Sequence, residues 1–241
     1  MAVLTLDRVS LRHRRGRRAL RVLDEVTLAL DAGELAGVWG RRGAGKTTLA
    51  HVAAGLLTPD EGAVLLDGRP PGAEKRRGVL HPEIGLATRR GPEIHEMAIE
   101  DWIASALLTS RSYRDALQTA RLALSRCGVG DLADEPWEVL SDGERMLASI
   151  AQAIVRGPRV LIADDPVAGI AGPERDEVME LLQSVAATGV AVLMTAAELA
   201  ELRGLDRIWS LRDGRLEGPM VRPGGTVVSL RPAADGRLGD R

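Results

Sequence analysis

The spacing of apolar residues changes twice along this chain. Between residues 3 and 30, apolar and polar positions alternate (Val3, Leu4, Leu6; then Val22, Val26, Leu28, Leu30), the period of antiparallel strands with one buried face. From residue 35 the pattern shifts to short, almost wholly apolar runs bounded by Gly, Pro or Asp: Leu35–Trp39, residues 63–66, Val160–Ala163 and residues 190–194. Such runs suit strands buried on both faces, as in a parallel sheet covered by helices. Between the last two runs, Val178, Leu181, Leu182 and Val185 fall on one helical face. Pro173 suits that helix's first turn, Glu174, Asp176 and Glu177 its positive end, and Gly189 ends it. Strand, helix and strand in this order predict a right-handed crossover and hence an α/β domain.

Residues 92 to 135 break that rhythm. Trp102, Ile103, Ala106 and Leu107 form one amphipathic stripe, and Ala116, Leu117, Ala120, Leu122 and Leu124 another. No strand signal intervenes, which predicts a helical subdomain inserted at about residues 90–140. Residues 219–241 carry turn-forming prolines and few apolar positions, and read as a C-terminal tail after a main domain of residues 1–218. Six arginines (Arg12, Arg14, Arg15, Arg17, Arg18, Arg21) read as a solvated loop between two early strands, since no amphipathic helix or aromatic residue accompanies them.

Composition narrows the function classes. A chain of 241 residues, 45% hydrophobic, can bury a substantial core. A net charge of −2 supplies no global field for nucleic acid or an anionic membrane, so no nucleic-acid partner is expected. Four Trp, one Tyr and no Phe argue against a base-stacking surface. The single cysteine, Cys127, excludes a disulfide framework and a Cys-based zinc site. No run approaches the roughly 18 apolar residues of a membrane span, and no signal-peptide core follows the N-terminal charges. A soluble, intracellular domain with an aliphatic core is the expectation. The basic residues are 30 Arg and 2 Lys, and one of those exceptional lysines, Lys46, stands in Gly40-Arg41-Arg42-Gly43-Ala44-Gly45-Lys46-Thr47-Thr48.

That segment matches a phosphate loop, with a strand pattern before it and a helix pattern after it. Its glycines let the backbone of Gly40, Gly43, Ala44, Gly45 and Thr48 wrap closely, so that several N–H groups and a helix N-terminus face one anion. Lys46 would reach the β- and γ-phosphates, and the Thr47 hydroxyl would hold Mg²⁺. Asp164, at the end of the run Val160–Ala163, suits the acidic metal ligand of such a nucleotide site, with Asp165 beside it. Between these lies Leu140-Ser141-Asp142-Gly143-Glu144-Arg145, where Ser141 and Glu144 form a capping box opening a helix.

In order and spacing these segments resemble the ATP-binding cassette (ABC) family over roughly residues 3 to 217. Leu140 to Glu144 is similar to its signature motif, and Ala163-Asp164-Asp165-Pro166 to its second phosphate-site motif. The resemblance implies a P-loop NTPase fold, a RecA-like parallel sheet flanked by helices, with an N-terminal antiparallel β subdomain and the inserted helical one. It implies ATP and Mg as cofactors, with Thr47 and Asp164 on the metal. It also implies a head-to-tail dimer with a second ABC subunit, identical or not. Ser141, Gly143 and Glu144 of one chain would then meet the γ-phosphate bound on the other. A separate transmembrane permease would dock on the helical subdomain, near Trp102, Tyr113 or Trp137 unless these pack in the core. The subunit would sit on the inner face of the cell membrane. The alternative is a nucleotide-gated regulatory or structural ABC protein acting through ATP-dependent dimerisation.

Four positions depart from the family pattern. Asp165 replaces the Glu that polarises the attacking water; its carboxylate sits about 1.5 Å further back, and a misplacement near 1 Å can cost roughly 100-fold in rate. Arg89 stands at the glutamine that follows residues 84–88, where a cation would repel Mg²⁺ or contact the γ-phosphate. Ala196 replaces the switch histidine, and Ala171 the Asp that links the two sites. Binding elements are whole and hydrolytic ones depleted, which predicts slow or absent hydrolysis. The family's adenine-stacking aromatic falls at His13, a smaller ring face than tyrosine's, with Arg12 or Arg14 as the alternative, laying a guanidinium on the base. Affinity then rests on the phosphates, and GTP is expected to compete with ATP within a few-fold in a fluorescent-nucleotide displacement assay; strict adenine selectivity would contradict this.

Overall fold

The computed structural model describes residues 2–15, 18–70, 80–170, 172–205 and 207–221. The alternating N-terminal segment forms two long antiparallel strands, β1 (Ala2–Arg15) and β2 (Arg18–Asp31). The chain then continues through β3 (Leu35–Trp39), α1 (Lys46–Ala53), β4 (Glu61–Leu66), β5 (Ile84–Ala87), α2 (Ile99–Ser105) and α3 (Tyr113–Arg126). It ends with α4 (Asp142–Ile154), β6 (Val160–Ala163), α5 (Pro173–Ala187), β7 (Ala191–Ala196), β8 (Arg207–Arg212) and β9 (Arg215–Val221). A three-stranded antiparallel sheet has the order β2-β1-β4, and a six-stranded sheet the order β5-β6-β7-β3-β8-β9. All pairings in the larger sheet are parallel except β8 with β9.

The apolar runs are explained by this sheet. On β6, Leu161 and Ala163 enter one hydrophobic cluster, with α4 and α5, while Val160 and Ile162 enter the other, with α1 and the antiparallel sheet. On β7, Val192 and Met194 divide from Ala191 and Leu193 in the same way. A strand covered on both sides has no polar face, so its sequence cannot alternate.

Among the described residues between β5 and β6 there is no strand; α2 and α3 pack on one another and on α4. On α3 the buried residues are Ala116, Ala120, Ala123 and Leu124, whereas Leu122, assigned above to the same stripe, is 55% exposed. The i, i+4 spacing of 116, 120 and 124 defines the face, and 122 projects away from it. Glu100, in the first turn of α2, is buried but takes a bidentate guanidinium from Arg121 (2.5 and 2.9 Å). Trp102 and Trp137 are half-buried and meet edge to face at 5.1 Å, while Tyr113 is exposed and donates to Asp101. Cys127 is buried, and burial pushes its thiol up to about 12.

Two sequence expectations need correction. Arg12, Arg14, Arg15, Arg18 and Arg21 lie on the paired strands β1 and β2 rather than in a loop; Arg12 pairs in register with Arg21 and reaches Glu61 at 3.4 Å. A two-stranded ribbon can carry polar side chains on both sides where it extends beyond the core. At the other end, β9 runs to Val221, so residues 219–221 belong to a strand, with Met220 packed against the core opposite Ile208. The rest of the expected tail, 222–241, lies outside the described residues, as do Arg17 and Ala171.

Removing the Arg121 guanidinium strips the Glu100 carboxylate of its charged partner. Arg121→Ala is expected to lower the stability of the chain, by a modest amount because Arg121 itself faces water. Urea unfolding of Arg121→Ala against Arg121→Ala with Glu100→Gln checks this: the double variant should recover part of the loss.

Candidate functional site

Strand order brings the site together. β6, β7 and β3 are consecutive parallel neighbours, so the loops at their C-terminal ends converge. β3 delivers Gly40, β6 delivers Asp164 and Asp165, and β7 ends on Ala196. The Gly40 N–H donates to the Ala196 carbonyl at 3.1 Å, fixing two of these loops edge to edge.

Gly45 caps α1 with φ +104°, a conformation that side chains rarely adopt, and an added Cβ would lie 2.9 Å from the Val22 carbonyl. The helix it opens has no side-chain cap and no acidic residue in its first turn, so its positive end is left for an external anion. Lys46 is buried; its Nζ donates to the Gly40 carbonyl at 3.0 Å and lies 3.8 Å from Asp165 Oδ1. Thr47 and Gly43 are exposed, with nothing within 4 Å of a Cβ built on Gly43, while Ala44 and Thr48 are half-buried. His13 comes off the β1–β2 ribbon to place Nε2 3.3 Å from Thr48 Oγ1, over the first turn of α1. A cleft of about 490 Å³ borders the loop, walled by Trp39, Arg41, Arg42, Arg212 and Asp213. Arg212 lies over the Trp39 ring at 5.4 Å.

The two aspartates after β6 are held by a residue the sequence reading passed over. Thr195 is fully buried; its hydroxyl donates to Asp164 Oδ1 (2.7 Å) and accepts from the Asp165 N–H (2.9 Å). A polar residue closing an otherwise apolar strand was the available signal. Asp165 sits at φ +48°, a left-handed conformation that Asp tolerates better than most side chains. Its Oδ1 is buried, with no hydrogen-bond partner among the described residues. Burial pushes its carboxyl above the ordinary range; Asp164 and Glu201 add to the rise, while Lys46 and Arg89 oppose it.

Arg89, expected to face Mg²⁺ or the γ-phosphate, is engaged elsewhere. Its Nη1 donates to the Ala168 carbonyl, and its Nη2 lies 3.2 Å from Asp142 Oδ2. At the start of α4 the capping box is complete: the Glu144 N–H donates to Ser141 Oγ (3.1 Å), and the Ser141 N–H to Glu144 Oε2 (2.7 Å). Gly143 is buried beneath Glu174, whose Oε2 would be 2.7 Å from an added Cβ. A side chain there would require Glu174 to shift.

The donor set suits a nucleotide with Mg²⁺. Lys46, the loop amides and the uncapped α1 present positive charge to phosphate, while Thr47 and Asp164 offer the hard oxygens that Mg²⁺ prefers. Among the described residues there is no cluster of three or more His, Cys, Asp or Glu able to hold a metal by protein ligands alone. Such a cluster is not what a phosphate-bound Mg²⁺ requires.

The raised Asp165 carboxyl carries a sign. A carboxylate whose folded value lies above its unfolded one contributes stability fully present below the unfolded value, and lost as pH rises through the folded one. At neutral pH its charge therefore opposes folding. Asp165→Asn is expected to raise the nucleotide-free Tm at pH 7, at about 2–4 °C per kcal/mol for a chain of this size. The gain should shrink as pH falls toward the ordinary carboxylate range. Thermal unfolding across pH checks both points.

Comparison with known proteins agrees with this geometry. The family model described as ABC transporter matches residues 23–168. The lipoprotein-releasing system ATP-binding protein LolD of Cereibacter sphaeroides is 32% identical over 220 residues, covering 89% of this chain and 98% of LolD. Ribose import ATP-binding protein RbsA 2 of Agrobacterium fabrum is 34% identical over 207 residues, covering 81% of this chain. The macrolide export ATP-binding/permease protein MacB of Burkholderia pseudomallei is 27% identical over 238 residues, covering 97% of this chain. The chain spans 40% of the length of RbsA 2 and 36% of MacB. An ATP-binding cassette solved as a dimer with ADP and Pi superposes with a TM-score of 0.79 at 22% identity, covering 89% of this chain and 97% of that one. For cbiO1 from Clostridium perfringens the values are 0.76 and 23%, covering 90% and 87%. These two likenesses speak for the fold. With its parallel sheet, its phosphate loop and its sequence relatives in agreement, the chain belongs to the ABC transporter family as an ATP-binding domain.

Proposed function

We propose that this chain is the ATP-binding subunit of an ABC transporter that binds Mg-ATP, dimerises head to tail with a second ABC subunit and drives a separate transmembrane permease, with hydrolysis impaired in its own site. The relatives named as ATP-binding proteins of import, export and lipoprotein-releasing systems support the transport reading. A dimeric solved neighbour supports the pairing. Among the described residues no helix is long and apolar enough to cross a membrane.

The roles divide by residue. Lys46, the amides of Gly43 to Thr48 and the α1 N-terminus bind and orient the triphosphate. Mg²⁺ held by Thr47 and Asp164 would neutralise charge on the phosphates. His13 lies where the ribbon overhangs α1 and is assigned to the base. Ser141, Gly143 and Glu144, at the N-terminus of α4, are assigned to the nucleotide of the opposite subunit.

The observation that carries the impaired-hydrolysis reading is Ala196. It is buried at the C-terminal end of β7, its carbonyl holding the first residue of the phosphate loop. A methyl group at that place neither donates a hydrogen bond nor moves a proton. Asp165 retains a carboxylate, but its Oδ1 faces Lys46 from within the protein.

Single-turnover cleavage of ATP by the purified chain is expected to run about 100-fold or more below that of an intact cassette. Asp165→Glu with Ala196→His should raise it, and Lys46→Ala should abolish ATP binding. A wild-type rate typical of an intact ATPase would overturn the impaired-site reading, while absence of ATP binding would overturn the function as a whole.

A further inference from the structure

A row of alternating charges runs from the phosphate loop to the start of α4. Lys46 Nζ lies 3.8 Å from Asp165 Oδ1. The Asp165 carbonyl accepts the Ala168 N–H at 3.3 Å, and the Ala168 carbonyl accepts Arg89 Nη1. Arg89 Nη2 lies 3.2 Å from Asp142 Oδ2, and Asp142 Oδ1 lies 3.6 Å from Arg145 Nη1. Arg145 in turn donates to the Trp137 and Glu138 carbonyls at 3.1 and 2.8 Å. Arg89 thus joins three segments far apart in sequence: its own loop after β5, the turn 165–168, and the first residue of α4.

We propose that Arg89 is a positioning residue that ties the N-terminal turn of α4 to the Asp165 loop, and that a triphosphate on Lys46 releases this tie. The inference rests on the ATP-binding reading above. It follows from which carboxylate can least tolerate losing its cation. Asp165 is 31% exposed and Asp142 53% exposed. Phosphates draw Lys46 Nζ toward themselves and leave Asp165 without its neighbour in a partly dry place. An unpaired carboxylate costs more the less water reaches it, whereas an exposed one gains little from pairing. Arg89 is already held to the turn that Asp165 opens, through the Ala168 carbonyl. The guanidinium therefore shifts toward Asp165, Asp142 keeps only Arg145 and water, and the first turns of α4 lose an anchor while the Ser141–Glu144 capping box stays.

Hydrogen exchange at the amides of residues 145–147 tests this, on the full chain with and without ATP and magnesium chloride, at a concentration where light scattering shows monomer. In the wild type, nucleotide should speed exchange about fivefold, the order expected of a partly exposed ion pair. Arg89→Gln and Asp142→Asn should each exchange at the fast rate without nucleotide and no longer respond to it. The swap Arg89→Asp with Asp142→Arg should restore slow exchange in the nucleotide-free state, which a simple loss of packing would not allow. Calorimetric titration with ATP runs in parallel. If the wild type binds no ATP, the function proposed above falls and this inference with it. If it binds ATP but exchange in α4 does not respond, or responds equally in both single variants, the coupling through Arg89 is overturned and the ATP-binding reading stands. Should Arg89→Gln fold poorly by circular dichroism, Asp142→Asn decides the matter, because it removes the same pair from an exposed side chain.

Discussion

A protonated amine taken out of water must be paired, because desolvating an ammonium ion costs several kcal/mol, and the Lys46 amine is one such group. Only 6% of this residue is exposed, and among the described residues its partners are a single carbonyl and a carboxylate beyond hydrogen-bonding distance. The folded chain thus holds a positive charge in a place it satisfies incompletely. The surrounding features follow from that constraint: a strand ending at Gly40, a turn with a left-handed glycine at residue 45, an uncapped helix, and an acidic pair delivered by the strand two places away in the sheet. An added phosphate would complete a set of donors for which the protein provides too few acceptors.

The sheet makes this arrangement rigid. Neighbouring residues of β6 and β7 enter two different cores, so each strand is clamped from both sides and its C-terminal end has little freedom. Thr195 extends the clamp by one hydrogen bond to each aspartate. The loops that hang from these ends are less buried, with Gly43, Thr47 and Arg89 exposed. Precision resides at the strand ends, and movement is left to the loops and the helices beyond them.

Much of this was legible in the sequence because it is local. The phosphate loop, the Ser141–Glu144 box and the apolar runs each depend on residues a few positions apart, and hydrophobic period or cap chemistry reports them directly. What escaped was long-range. Arg89 finds Asp142 53 positions away and Ala168 79 away, and no spacing rule anticipates either contact. Thr195 looked like one more residue of a strand until its hydroxyl was seen to reach the preceding parallel strand's loop. Leu122 misled because a leucine beside a stripe looks like part of it, although the 100° step per residue carries it off the face. The arginines of the ribbon carry charge without periodicity, which suits a loop and a solvated pair of strands equally. Ala196 and Asp165 were visible as departures, but only the fold shows that one lies against the phosphate loop and the other in a left-handed, partly buried turn.

The chain's single thiol lies within the α2–α4 cluster, 4% exposed and with its ionisation pushed to about 12. A thiol, not a thiolate, is what persists there near neutral pH, and a thiol reacts poorly with oxidants and disulfides. The folded subunit therefore presents no reactive thiol. It cannot be cross-linked to a second copy through sulfur, nor capped by glutathione, without first unfolding around Cys127.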